Sequence, residues 1–516
     1  MYVLVAFALV LAFQFMATLP ALQAPGMSMD EGMLLYYPEL LTKGLLPQRD
    51  FESMYPPGNI WLLSAAYSVF GTTVQVERTC GLLYQIALVA AFFVLLSRWS
   101  LPIAVAGCAL CIIALLPLHL VAFAWVGGSA LALWAIVAIA GRGRTEWRGA
   151  LAGGLAGLAM TYRADLAPAL ILALSAYCIL ARWNRRAVLW LLGSASVALL
   201  PMLAHALVVS PAVFFDNIFT KPVLTCSPAR VLPLDFSRSF IGQLYSLLLI
   251  STGLAILAGW RVYRTMSTRD PALLAAGLLS LGALPQALTR SDFVHLSFVT
   301  PLAFPLLAIA ASVLISRHKL TPALTVASVL VLLPQTAKVL RDRLLGTGFP
   351  TGSVFVVRSG ERTFPVSGLQ YAIASQDVIS RLTELSRPGE TLFVGPDDLR
   401  YAFANDVFLY HMFPWLSPRS YYLEMNPLSA NRTGSGLAEQ VAGSDWLVLS
   451  SLWNQSNEPN QSQISGPAAP NEVVSSGFDL VFSKPPFHLF KRRAATGQLP
   501  NPAQSGQTNS MAHQAK

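Results

Sequence analysis

Two adjacent carboxylates, Asp30 and Glu31, follow the first apolar segment of the chain. They belong to a stretch, residues 28–58, that is rich in acidic residues, whereas the flanking segments carry almost none. A positioned carboxylate can take the proton of a hydroxyl group as that group attacks an electrophilic carbon. We predict that Asp30 is such a base and that Glu31 raises its pKa, because adjacent carboxylates resist double ionisation. The alternative is structural: Asp30 caps the following helix, and Glu31 stabilises its first turn.

Cationic side chains that could bind a phosphate lie in other connections between apolar segments. The candidates are Arg163, Arg290 and Lys221, and a guanidinium group can hold phosphate through two parallel hydrogen bonds. Nearby polar residues are predicted to contact substrate: Tyr55, His119, Asp165, Asp292 and His295. Structural alternatives remain open for these residues, namely an ion pair between Arg163 and Asp165, a membrane-interface anchor at 290–295, an interfacial histidine at 119 and a simple turn at the YPPG that begins with Tyr55.

The composition indicates that most of the chain lies in a membrane. Hydrophobic residues make up 54% and charged residues 12% of the 516 residues, whereas soluble domains carry about 25% charged residues. The net charge of +9 does not indicate nucleic-acid binding, because much of the positive charge lies in short loops between apolar segments. A membrane-spanning helix needs about 20 apolar residues, and about eleven segments approach this pattern. They are 2–22, 79–97, 101–119, 122–140, 149–162, 166–181, 187–209, 239–260, 271–289, 294–315 and 320–337.

The distribution of Lys and Arg predicts the orientation of these segments. The loops on one side are rich in basic residues, which is typical of the cytoplasmic side of a cell membrane. The amino terminus is then cytoplasmic, and the chain after residue 338 is extracytoplasmic. The same assignment places Asp30, Arg163 and Arg290 together on the outer face, with His119 and the connection 210–238. Polar residues near membrane ends are costly unless they serve a function, so we expect one shared cavity there.

We predict a mainly α, polytopic membrane protein with an extracytoplasmic α/β domain. Residues 1–337 form the transmembrane catalytic domain, 338–493 the outer domain and 494–516 a disordered tail. In the outer domain, 392–396 and 445–451 are predicted strands, 377–389 and 437–445 helices, and 473–492 a pair of terminal strands. Such alternation favours an α/β fold. The polar segment 454–472 is predicted to be a flexible insert.

Three pieces of the sequence together resemble the GT-C glycosyltransferases of bacterial membranes, relatives of the protein O-mannosyltransferases and the aminoarabinose lipid A transferases. The first piece is Asp30-Glu31-Gly32, directly after the first span. The second is GLLPQRDFESMYPPG at 44–58, followed by FG at 70–71 and ER at 77–78. The third is TRSDFVHL at 289–296, between two late spans. The resemblance covers roughly residues 1–340.

The resemblance implies transfer of a sugar from a polyprenyl-phosphate donor to a glycan, lipid or protein acceptor outside the cytoplasm. It also implies that Asp30 activates or positions the acceptor, with Glu31 as its neighbour. Many members carry a second acidic residue in the next outer loop, but this chain has His119 near that position and no carboxylate within 118–125. We therefore expect no required metal, and no other cofactor is predicted.

Two other classes of function compete with this hypothesis. A flippase or transporter for a lipid-linked sugar would carry charges on both faces or at mid-membrane, and related halves. The sequence shows no clear internal repeat, and its unusual polar groups lie on one predicted side. A membrane protein that binds glycan without catalysis would not depend on Asp30.

Overall fold

A computed structural model describes residues 1–265, 270–316, 318–345, 353–454 and 458–494 of the chain. Helices dominate the part before residue 346, and six of them are long and apolar enough to cross a membrane. A seventh crossing is possible where two helices meet at an angle of 105°. The predicted count of eleven is therefore not confirmed. Several of the remaining predicted segments are helical but short, such as Ala124–Ala140 and Ala164–Leu180.

The helices of this first part follow one another with short connections. They are α1 (Tyr2–Thr18), α2 (Asp30–Thr42), α3 (Gly58–Phe70), α4 (Val74–Leu96), α5 (Leu101–Leu115), α6 (Ala124–Ala140), α7 (Thr145–Tyr162), α8 (Ala167–Leu180), α9 (Arg185–Val209), α10 (Pro211–Phe215), α11 (Ser227–Arg230), α12 (Phe240–Thr265), α13 (Ala272–Ala283), α14 (Pro285–Leu288), α15 (Phe293–Ala303), α16 (Leu307–Leu314), α17 (Thr321–Leu332) and α18 (Pro334–Leu344). A π-helix, Asp216–Thr225, connects α10 to α11.

Small residues allow α7 to pack directly against α9. Gly149, Gly153 and Gly157 recur every fourth residue, so they share one face of α7. A Cβ atom at Gly153 would lie 1.9 Å from the carbonyl oxygen of Leu191, so only glycine fits there. This close approach is typical of helix pairs in membranes. This packing fixes the position of the C-terminal end of α7. Arg163 is the residue directly after that end.

The second part is built around a mixed five-stranded sheet. Its strands, in the order β4-β3-β5-β7-β6, are β3 (Thr391–Pro396), β4 (Ser417–Pro418), β5 (Trp446–Ser450), β6 (Phe478–Lys484) and β7 (Phe487–Arg492). β3 runs parallel to β4 and β5, and β7 runs antiparallel to β5 and β6. A separate hairpin joins β1 (Val354–Ser359) to β2 (Arg362–Ser367). The helices here are α19 (Leu369–Leu385), α20 (Phe408–Met412), α21 (Leu437–Ala442) and α22 (Ala469–Gly477).

The sheet confirms two predicted strands and corrects other expectations. Residues 473–477 belong to α22 rather than to a strand, and the hairpin of β1 and β2 was not predicted. The predicted flexible insert, as far as it is described, contains a short 3-10 helix, Gln461–Gln463, and an acidic residue paired with Arg290. The predicted tail lies outside the described residues, apart from its first residue.

The sheet-containing part docks on the stretch that holds Asp30. The backbone N–H of Phe408 donates to the carbonyl of Ser28 at 3.0 Å. A Cβ atom at Gly32 would lie 2.4 Å from that same nitrogen, so a larger residue would separate the two parts. A partly buried ion pair between Arg362 and Glu39, at 2.6 Å, reinforces the contact. The start of α2 is therefore held by the helical part and by the sheet-containing part together.

Candidate active site

The helices and the sheet-containing part enclose a cavity of about 500 Å³. The predicted site residues that line it are Asp30, Tyr55, Arg163, Arg290, Asp292 and His295. A second cavity of about 310 Å³ adjoins it, and the two share Tyr55, Arg163, Arg290 and His295. We call them the Asp30 cavity and the adjoining cavity. Segments distant in the sequence thus meet at one site.

Asp30 lies in the first turn of α2 and faces the Asp30 cavity. Met29 holds the N-cap position, and no side chain caps this helix, so the capping alternative for Asp30 does not apply. The carboxylate makes no hydrogen bond or ion pair to any residue that the structure describes, which leaves it open to a ligand. Burial raises its pKa, and the charge of His295 opposes the rise. Such a carboxylate accepts a proton more readily than a solvated aspartate does.

Glu31 points away from the cavity into a buried ion pair. Arg78 donates to it through Nε at 2.6 Å and through Nη2 at 2.9 Å, and Glu31 has no exposed surface. Glu31 therefore does not line the Asp30 cavity, and its position does not support a direct catalytic contact with substrate there. The negative charge of Glu31 raises the pKa of Asp30, but burial is the larger cause of that rise.

Arg163 is held rigidly between the two cavities. Its guanidinium group donates to Asp165 at 2.6 and 3.0 Å and to Gln286 at 3.3 Å. It also lies over the rings of Tyr55 and Trp125, 4.6 and 5.1 Å from their centroids, and such cation–π contacts stabilise a partly buried cation. Arg163 therefore forms the ion pair with Asp165 and lines both cavities at the same time. Asp165 lines the adjoining cavity.

Arg290, Asp292 and His295 form one connected cluster at the start of α15. Asp292 caps that helix through the backbone of His295 and also binds the His295 ring at 2.8 Å. Arg290 donates to Asp292 at 2.6 Å and pairs with Glu458 through both terminal nitrogens. Burial would raise the pKa of Asp292, but bonds and charge from His295, and the charge of Arg290, hold it at about 2. Two carboxylates therefore already compensate the charge of Arg290.

Arg230 is a cation of the site that sequence reasoning missed. It lines both cavities, and none of the carboxylates in the described residues forms an ion pair with it. Within the described residues, its guanidinium group makes one hydrogen bond, to the sulfur of Met54 at 3.5 Å, and its backbone carbonyl accepts one from Arg290 at 3.1 Å. The sequence carries a signal for it, because the Lys/Arg pattern predicts the connection 210–238 on the outer face. The cation predicted within that connection, however, is Lys221. Arg230 is better placed than Lys221 to bind an anion in either cavity.

Lys221 and His119 are not brought into the two cavities. Lys221 is buried against Glu52 at 3.2 Å and against Asn217 at 3.1 Å. His119 lies in a third cavity of about 230 Å³ and bonds Arg343 at 2.9 Å. Neither side chain lines the Asp30 cavity. The positions of Lys221 and His119 therefore do not support the predicted contacts with substrate.

The sheet-containing part adds Glu424 and Asn426 to the lining of the Asp30 cavity. No motif in the sequence marked either residue, because their contact with the cavity depends on docking across nearly 400 residues of chain. Among the residues that the structure describes, there is no cluster of three or more His, Cys, Asp or Glu that could hold a metal ion. The absence of a required metal stays a prediction.

Solved structures with the same architecture decide the fold. ArnT from Cupriavidus metallidurans bound to undecaprenyl phosphate matches 96% of this chain and 98% of its own, with a TM-score of 0.56 and 13% identity. Its apo state matches 95% and 97%, with a TM-score of 0.52 and 13% identity. The chain has the GT-C fold. The predicted resemblance is thereby confirmed, and the GT-C fold extends over the sheet-containing part as well as the helices.

The remaining comparisons show one weaker structural likeness and no match in sequence. Arabinofuranosyltransferase AftD from Mycobacteria matches 96% of this chain and 40% of its own, with a TM-score of 0.47 and 16% identity. The chain matches no protein-family model and no curated protein. The function of this chain is therefore argued from its site.

Proposed function

We propose that the protein is an integral-membrane glycosyltransferase that moves a sugar from a polyprenyl-phosphate donor to an extracytoplasmic glycan, lipid or protein. The observation that carries the proposal is the unpaired carboxylate of Asp30 in a cavity whose wall also holds cationic groups. The GT-C fold and the undecaprenyl phosphate bound to ArnT support a lipid-linked donor. The polar groups of the site lie on one predicted side of the membrane, which favours an enzyme over a transporter, because a transporter needs access from both faces.

Asp30 acts as the base in this reaction. The acceptor hydroxyl attacks the anomeric carbon, the bond from that carbon to the phosphate oxygen breaks, and Asp30 takes the hydroxyl proton. The lipid phosphate leaves with the electron pair of the broken bond. Direct displacement inverts the anomeric centre. Since burial raises the pKa of Asp30, the proton is accepted close to neutral pH more readily than by an exposed aspartate.

Cations around the shared wall stabilise the departing phosphate. Arg230 is the first candidate, because no carboxylate in the described residues pairs with it, and Arg163 lies on the same wall. Arg290 contributes once the donor phosphate competes with Glu458 for its guanidinium group. Preorganised donors of this kind stabilise charge that develops in the transition state. The lipid tail lies between spans while the head group enters the cavity.

The proposal is tested by transfer in a purified system. The full chain in lipid nanodiscs is supplied with radiolabelled undecaprenyl-phosphate sugars, one sugar at a time, and with extracted envelope lipids and glycans. We expect label to appear in one acceptor class, and mass comparison of envelopes with and without the protein to show the same modification. Passage of the intact lipid-linked sugar across a vesicle membrane, without transfer, would favour the flippase instead.

Replacing Arg230 with glutamine should reduce transfer by about 100-fold, the typical cost of removing one transition-state donor. The change breaks no ion pair in the described residues, so the melting temperature should stay close to that of the wild type. Steady-state kinetics with a varied donor measure the loss. Arg238→Gln is the matched control, because Arg238 is exposed and lines neither cavity. Equal activities of the two variants would remove Arg230 from the phosphate site.

A further inference from the structure

A loop of the outer part, residues 424–427, forms one wall of the Asp30 cavity. Glu424, Asn426 and Pro427 line the cavity, and Trp453 lines it as well. Met425 and Leu428 adopt left-handed backbone conformations, with φ of 54° and 62°. Such conformations are strained for a residue other than glycine and persist only where the surroundings impose them. The loop is therefore held in one defined shape against the cavity.

Glu424 is a buried carboxyl group with neutral partners. It is 6% exposed, and it accepts hydrogen bonds from the Tyr37 hydroxyl at 2.8 Å and from the Asn426 amide at 3.1 Å. No cation in the described residues forms an ion pair with it. A carboxylate offers about four acceptor sites, so these two bonds leave room for two more. Those sites are available to hydroxyl groups in the cavity.

The electrostatic surroundings of Glu424 come from several elements. Burial raises its pKa to about 7, and the negative charge of Glu52 adds to the rise. The hydrogen bonds from Tyr37 and Asn426 and the charge of Arg230 oppose it. Near neutral pH the group can therefore either accept a hydrogen bond from a hydroxyl or donate one to it. This behaviour suits a ligand that carries many hydroxyl groups and no charge of its own.

The neighbours of Glu424 supply the other contacts that such a ligand needs. The amide nitrogen of Asn426 donates to Glu424 at 3.1 Å and to Glu52 at 3.2 Å, so its carbonyl oxygen is the group that can accept a hydrogen bond from a ligand. Trp453 presents an aromatic ring, and its indole nitrogen donates to Asp406 at 3.3 Å, which fixes the ring. Sugar rings combine hydroxyl edges with apolar faces. A carboxyl, an amide and an aromatic ring that line one cavity match both features.

We propose that Glu424, Asn426 and Trp453 form a subsite in which the outer part binds a sugar ring through its hydroxyl groups. This inference rests on the proposed function and deepens it, because it assigns sugar selection to the outer part and chemistry to Asp30. A site that bonds a substrate hydroxyl strongly rejects analogues without it, since its own polar groups are then left unpaired. The sugar could belong to the donor or to the acceptor.

The donor is tested by comparing lipids with and without a sugar. The full chain in nanodiscs is titrated with undecaprenyl phosphate and with undecaprenyl phosphate carrying arabinose, mannose or glucose. We expect at least one sugar-bearing lipid to bind more tightly than the bare lipid, and Glu424→Ala to reduce that preference about tenfold or more. Binding of the bare lipid should be unchanged. Glu439→Gln, an exposed glutamate of α21, is the control that removes the same charge.

The acceptor is tested with oligosaccharides released from the cell envelope. If Glu424→Ala weakens binding of these oligosaccharides but keeps the preference for the sugar-bearing lipid, the subsite binds the acceptor sugar. Tyr37→Phe removes the bond between α2 and Glu424 but keeps the carboxyl, so it should keep most of the sugar preference. The subsite is overturned if Glu424→Ala keeps the preference for the sugar-bearing lipid and the binding of the oligosaccharides. It is also overturned if Tyr37→Phe loses them to the same extent as Glu424→Ala. If the wild type binds no probe at all, the proposed function itself fails, and this inference fails with it.

Discussion

Asp30→Asn should lower sugar transfer by about 10²- to 10⁴-fold, which is the usual contribution of a general base. Asparagine keeps the size of the side chain but cannot take the acceptor proton. Because the Asp30 carboxylate bonds to no described residue, its replacement should leave the melting temperature and lipid binding nearly unchanged. Single-turnover transfer and the affinity for undecaprenyl phosphate are the two measurements.

The pH dependence gives an independent test of the same role. Burial raises the pKa of Asp30, and the base must be ionised, so kcat/KM should fall on acidification at a pH above the usual range of an aspartate. The residual activity of Asp30→Asn should lack this acidic limb. Asp50→Asn serves as control, because Asp50 belongs to the same stretch but lines neither cavity. Transfer at the wild-type rate by Asp30→Asn would exclude the carboxylate from the mechanism.

Arg78→Met should destabilise the protein by about 3–5 kcal/mol, the typical cost of leaving a buried charge without its partner. Arg78 and Glu31 are both almost fully buried, at 1% and 0% exposure. Arg78 also donates to the carbonyls of Leu22 and Ala24, at 2.8 and 2.9 Å, which would lose their donor. The loss is measured as a lower melting temperature in detergent and a lower yield of folded protein.

The double variant Glu31→Gln/Arg78→Met separates charge from packing. It should recover part of the stability, because no unpaired charge remains buried. Arg381→Met is the surface control, since its pair with Glu384 is exposed and should contribute little. A double variant no more stable than Arg78→Met would show that the backbone contacts of Arg78, rather than its charge, hold the start of α2.

The sequence by itself predicted the membrane character, the positions of several apolar helices and Asp30 as a candidate site residue that lines the cavity. These features are local: apolar runs of helical length and an acidic pair next to them are visible in the order of residues. The clustering of Asp30, Arg163 and Arg290 was also predictable, because the distribution of Lys and Arg placed all three on one side. The orientation of that side in the membrane stays a prediction.

Only the tertiary structure decided which neighbours complete the site. Adjacent residues on a helix point about 100° apart, so Asp30 faces the cavity while Glu31 turns to Arg78. Lys221 and Arg230 belong to the same connection, but only Arg230 reaches the cavities. Glu424 enters the site because Gly32 permits the sheet-containing part to approach α2 closely. Contacts between distant segments depend on how their surfaces fit, and no local pattern encodes that fit.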